Sequence, residues 1–162
     1  SYWDCMPILD ASQLVFFHYT QATNLLFGLD EALNMLFEEG LNQVFARHRR
    51  LAAATRRAAD TWGLDGCCRD EAAHSPTLTA LVTPQGHDAD LLRQLILERF
   101  DLSLGTGLGP LQRQLFRIGH LGSINDLMLC GTLCGIEMGL ELAGVPHQSG
   151  GVQAALGMLA HD

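Results

Sequence analysis

Apolar residues recur with a helical period early in the chain. Leu25, Leu26, Leu29, Ala32, Leu33, Leu36 and Phe37 fall on one face of a helix expected from Thr20 to about Glu38, and Gly40 is placed to end it. A second helix is expected from Leu41 to about Thr61, with Val44, Phe45, Leu51 and an Ala-rich stretch, closed by Gly63; residues 66–75 read as a loop. The period then changes. Residues 77–82 are β-branched and apolar between Pro76 and Pro84, which predicts a strand. Asp88 is placed to cap a helix running to Arg99, with Leu91, Leu92, Leu95 and Ile96 turned inward. A short strand is expected over 102–104 and another over 115–118. Ser123 is a natural N-cap for the last main helix, in which Gly131, Gly135 and Gly139 form a smooth strip for close packing. Gly150 and Gly151 precede a weak helix over 152–160. Residues 1–19 carry Tyr2, Trp3, Phe16, Phe17 and Tyr19 without clean periodicity, and read as an extended connector that needs another surface to cover it.

The order helix, helix, strand, helix, strand, strand, helix suits an α+β layer, with helices packed on one face of a small antiparallel sheet. With 48% apolar and 17% charged residues in 162, the composition is globular. A formal charge of −8 argues against nucleic-acid binding, and the cluster Arg47, His48, Arg49 and Arg50 reads as one solvated helix face. The run 127–145 is apolar, yet Glu137 and Glu141 would be costly inside a bilayer, so a packing helix rather than a membrane span is expected. The five Cys have no disulfide-framework spacing. Cys130 and Cys134 stand one helical turn apart without a second pair at zinc-site spacing, so free thiols and no metal are expected, with a reducing cytoplasm as the default compartment. Cys67 and Cys68 sit in a polar loop and read as reactive rather than ligating.

One stretch carries the sharpest chemical signal. In the 115–118 strand, Arg117 stands between the large apolar Phe116 and Ile118, just before a Gly-x-x-Gly turn. A guanidinium keeps its charge whatever its surroundings, so a partly buried one needs an anion, and its planar fork suits a carboxylate or phosphate. Two readings stay open on these grounds: an ion pair with an internal Asp or Glu, or a grip on a ligand. The Gly-rich run 105–110 is not a dinucleotide loop, because Pro110 and a strand follow it where that mechanism needs a helix.

The segment 116–122, Phe-Arg-Ile-Gly-His-Leu-Gly, resembles the C-terminal signature of class-V, fold-type-I pyridoxal-phosphate (PLP) aminotransferases, nearest the serine–glyoxylate and alanine–glyoxylate branch. Residues 19–29, Tyr-Thr-Gln-Ala-Thr-Asn-Leu-Leu-Phe-Gly-Leu, are similar to the family's Tyr-Thr-Pro-Ala-Thr-x-Leu-Leu-Tyr-Gly-Leu. Glu38-Glu39-Gly40-Leu41, Val44 to His48 and Leu102 to Gly105 follow where the family has them, so the resemblance spans almost the whole chain.

The resemblance implies the small C-terminal α+β domain of the fold-type-I transferase fold, preceded by long connecting helices: 1–20 a connector from a PLP-binding large domain, 21–63 connecting or interface helices, 64–162 the small domain. It implies an enzyme that moves an amino group from serine or alanine to glyoxylate or a similar 2-oxo acid, working as a homodimer. Arg117 would grip the substrate carboxylate, and Thr20 would reach the cofactor phosphate of the neighbouring subunit. All ten basic residues are Arg and there is no Lys, whereas PLP enzymes hold their cofactor as a Schiff base on a Lys amine. The chain therefore reads as the C-terminal portion of a longer enzyme, inactive alone. Family Pro residues are replaced by His18 and Gln21, a Tyr by Phe27, and a Lys before the Arg strand by Arg113-Gln114, which bears on substrate choice more than on fold. His120 is expected to be structural. The alternatives are a non-catalytic binding or dimerisation module on the same fold, or another class-V activity such as a lyase or desulfurase.

Overall fold

The computed structural model describes residues 4–13 and 20–161. The chain divides into two compact units, 1–41 and 42–162.

The first unit holds α1 (Met6–Gln13) and α2 (Thr23–Glu39). The first corrects the extended reading of residues 1–19: Pro7 occupies the opening turn, where its missing N–H costs nothing, and Asp4 accepts the Met6 N–H at 3.2 Å. Eight residues are too few to display a helical period. The aromatics at 2, 3, 16, 17 and 19 lie outside the described residues. Helix α2 begins at Thr23 rather than Thr20. Ala22 occupies the cap without a side-chain bond, its carbonyl accepting the Leu25 and Leu26 N–H groups. No residue of α2 is buried, and Leu25 and Phe27 are 75% and 74% exposed.

The second unit contains α3 (Leu41–Trp62), β1 (Leu78–Val82), α4 (Ala89–Phe100), β2 (Gly105–Thr106), β3 (Leu115–Gly119), α5 (Asp126–Leu142) and α6 (Gly151–Leu159). The unit begins at Asn42, so most of α3 belongs to it. The three strands form an antiparallel sheet in the order β1-β3-β2. The second strand is Gly105–Thr106, within the Gly-rich run, and not 102–104. Alternation along β3 sends Phe116 and Ile118 to the helical side. There they meet Leu51, Ala54, Ala58 and Trp62 of α3, Leu92 and Ile96 of α4, and Leu129, Leu133, Ile136 and Leu140 of α5. Helices on one face of a small antiparallel sheet are the α+β arrangement that the pattern predicts.

Asp88 caps α4 as expected, accepting the Asp90 N–H at 2.8 Å. Leu91 does not turn inward; it is 65% exposed. The cap of α5 is Asn125, which accepts the Met128 N–H at 3.0 Å, and not Ser123. Of the glycine strip, Gly135 lies under Leu102 and Gly139 under Ile96, while Gly131 faces open space. The basic cluster on α3 is not a solvated face. Arg47 donates to the carbonyls of Gly122 (2.8 Å) and Ile124 (3.1 Å), His48 is buried, and Arg50 pairs with Asp126 at 2.5 Å. These side chains fasten the turn after β3 and the start of α5, and Arg49 alone of the four is exposed. Among the described residues no helix is long and apolar enough to cross a membrane.

Candidate functional site

Arg117 lies on the central strand, on the face opposite the helices. Its ladder partners are Ala80 on β1 and Gly105 on β2, the two smallest side chains a sheet can offer. The long side chain therefore has room to lie across the sheet. Its Nε–H donates to the Thr106 carbonyl at 2.8 Å. Among the described residues no carboxylate pairs with the guanidinium, so of the two readings left open by the sequence the internal ion pair is not realised. The fork is half-buried and charged, and among the described residues its terminal nitrogens have no partner.

The strand that receives Arg117 is itself held from α4. The Thr106 hydroxyl donates to the Asp90 carboxylate at 2.8 Å. Arg93 donates to the same oxygen at 2.8 Å and, through Nε, to the Leu104 carbonyl at 2.7 Å. On the other side of β3, Arg113 pairs with Asp88 at 2.6 Å, and its carbonyl accepts the Ala89 N–H at 2.8 Å. Arg113 holds the Asp88 carboxyl below its ordinary value. The first turn of α4 thus fixes the segments on both sides of Arg117. Sequence reasoning missed Asp90, Arg93 and Thr106. The only available signal was the Gly-rich run itself, whose Gly107 is required because the Leu111 carbonyl stands where a β-carbon would go.

His120 is fully buried. Its Nδ1–H donates to the Pro76 carbonyl at 3.1 Å, which leaves Nε2 to accept the Thr79 hydroxyl at 2.9 Å. Burial pushes its pKa down to about 4, helped by the charge of Arg56. A neutral, doubly bonded imidazole is a structural one. Thr20 is exposed ahead of α2, in the other unit. Cys67 and Cys68 are exposed free thiols lining a cleft of about 520 Å³ with Arg56, Asp60, Arg69 and His74. Among the described residues no group of three His, Cys, Asp or Glu side chains could hold a metal ion.

This arrangement has counterparts. The crystal structure of pyridoxamine–pyruvate aminotransferase from Mesorhizobium loti matches with a TM-score of 0.83 at 32% identity, over 89% of this chain and 37% of that one. In sequence and fold the chain corresponds to the C-terminal part of the class-V, fold-type-I PLP aminotransferase family. Within it the chain is similar to serine–glyoxylate aminotransferases. It is 45% identical over 144 residues to the one from Arabidopsis thaliana, covering 88% of this chain and 36% of the relative. It is 44% identical over 148 residues to the one from Methylorubrum extorquens, covering 91% and 37%. The chain thus spans little more than a third of the length of the curated relatives it matches. No protein-family model matches the chain.

Proposed function

We propose that the complete protein is a PLP-dependent aminotransferase moving an amino group from serine or alanine to glyoxylate or a similar 2-oxo acid. This chain would supply the carboxylate-binding side of its site. The observation that carries the reading is Arg117: a half-buried cation on the central strand, tied at Nε and, among the described residues, unpaired at its terminal nitrogens. Such a group holds a substrate carboxylate through two charge-assisted hydrogen bonds.

The residues present fit PLP in part. Thr20 is exposed just ahead of the first N–H groups of α2, a suitable position for a phosphate oxygen. None of the 162 residues is a Lys, so the covalent anchor lies outside this sequence. When bound, PLP supplies the electron sink that lets the amino group move. Arg117 would orient the acid through its carboxylate, and Thr20 would help hold the phosphate of a cofactor bound mainly by the other subunit. The apolar, uncovered face of α2 supports a homodimer and a large N-terminal domain in the complete enzyme, which we place in the cytoplasm. A chain with no Lys also suits the second reading, a non-catalytic module; a Lys-bearing domain encoded upstream of Ser1 decides between the two.

The test is Arg117→Lys and Arg117→Ala in the complete enzyme. Loss of the bidentate grip lowers kcat/KM for serine about tenfold or more in the Lys variant, each tenfold being about 1.4 kcal/mol. Unchanged kinetics in Arg117→Ala refute the assignment. The 162-residue chain alone shows no transamination, and borohydride reduction with PLP followed by peptide mapping finds no stoichiometric adduct.

A further inference from the structure

We propose that Gly105 and the Asp90–Thr106 pair form a cradle that fixes the direction of the Arg117 guanidinium, making these three positioning residues for the substrate carboxylate. The inference rests on the reading of Arg117 given above.

Gly105 faces Arg117 across the β2–β3 ladder. A β-carbon built there stands 3.0 Å from the Arg117 Cβ, 3.1 Å from its Nε and 3.5 Å from its Cζ. The backbone of Gly105 is not in the left-handed region, so local geometry alone does not demand glycine. What demands it is the arginine lying over it. The next residue, Thr106, receives the Nε–H on its carbonyl while its hydroxyl is held by Asp90 on α4. Arg93 clamps the same strand by bonding both Asp90 and the Leu104 carbonyl. The orienting carbonyl is therefore pinned, and the guanidinium has both a floor and a fixed acceptor.

The experiment uses the complete enzyme labelled with 15N-arginine. The Arg117 Nε–H resonance is assigned by its disappearance in Arg117→Lys and followed by solvent exchange. Slow exchange in the wild type, lost in Gly105→Ala and Thr106→Val but kept in Thr106→Ser, is the expected result. The KM for serine should rise about tenfold in the first two variants while kcat changes less, since a shift of a few tenths of an ångström misaligns the grip. If Gly105→Ala fails to fold, Thr106→Val with its Thr106→Ser rescue carries the test. Slow exchange preserved in both disruptive variants overturns the cradle, and so does an unchanged KM where exchange is lost. Arg117→Ala with unaltered kinetics refutes instead the substrate role of Arg117, while the exchange measurement still decides the cradle.

Discussion

The carboxylate of Glu137 accepts the indole N–H of Trp62 at 2.8 Å, and the same group takes the N–H of Gly150 at 2.7 Å and of Val152 at 2.9 Å. One side chain on α5 therefore joins the end of α3 to the start of α6. Burial pushes its carboxyl up, but the bonds from Gly150, Trp62 and Val152 outweigh that and hold it below the ordinary Glu range. A negative charge at a helix N-terminus is also favourable.

Glu137→Gln replaces one acceptor oxygen with an amide NH₂ that faces a donor. We expect a loss of about 1.5–3 kcal/mol, the usual worth of hydrogen bonds to a charged group. Urea unfolding of the complete protein, followed by Trp fluorescence, measures it. Stability within experimental error of wild type would mean that the network does not contribute.

His120 makes stability pH-dependent in a defined window. Its pKa falls from the ordinary 6.5 to about 4 on folding, so between those values the unfolded chain binds the proton that the folded chain refuses. Stability therefore rises with pH from about 4 to 6.5 and is level above, a change of up to about 3 kcal/mol. Glu137, whose folded pKa is lowered, adds a further loss of stability below the ordinary Glu value of 4.5, with the same sign. Unfolding midpoints between pH 4 and 7 should show this slope, flattened in His120→Gln.

The two ends of the glycine strip should respond oppositely to alanine. Gly139→Ala places a methyl group against the buried Ile96 side chain and should cost about 1–3 kcal/mol through overpacking. Gly131 is exposed with nothing within 4 Å of a β-carbon, so Gly131→Ala should gain roughly 0.5–1 kcal/mol from helix propensity. Thermal unfolding of the two variants side by side checks both signs.

Thr20→Val keeps the volume and removes the hydroxyl. If Thr20 helps hold the cofactor phosphate, PLP affinity should weaken by roughly one to two orders of magnitude, on the order of 1.5–3 kcal/mol, with the unfolding midpoint of the PLP-free protein little changed. Equilibrium dialysis of PLP, with subunit mass measured alongside, is the check; unaltered affinity removes Thr20 from the phosphate site.

The helices and strands with long, single-period patterns were legible in the chain: α3, β1, α4, α5 and the Arg117 strand all fall within a few residues of expectation. What was not legible depends on distant partners. Ser123 and Asn125 are both good N-cap residues, and only the start of α5 at Asp126 selects Asn125; β2 exists only because Gly105 and Thr106 pair with Arg117 and Phe116. Arg47 and Arg50 look like surface charge until the turn after β3 is seen to meet them. In the candidate site, the partial burial of Arg117 was readable from its apolar neighbours. The side chains that aim it come from α4, whose own period shows only a surface helix.

On the proposed role of Arg117, the bond from its Nε to the Thr106 carbonyl also decides from which side an acid would approach. A guanidinium offers two edges for a two-point grip: a lateral one using Nε, and a distal one using the two terminal nitrogens. The lateral edge is already engaged, so a carboxylate bound as proposed would meet Arg117 end-on, coplanar with the fork, with its α-carbon continuing along the axis of the side chain. On the proposed function, the amino donor and the 2-oxo acceptor would enter in the same orientation up to that carbon. Telling them apart falls to groups that meet their far ends.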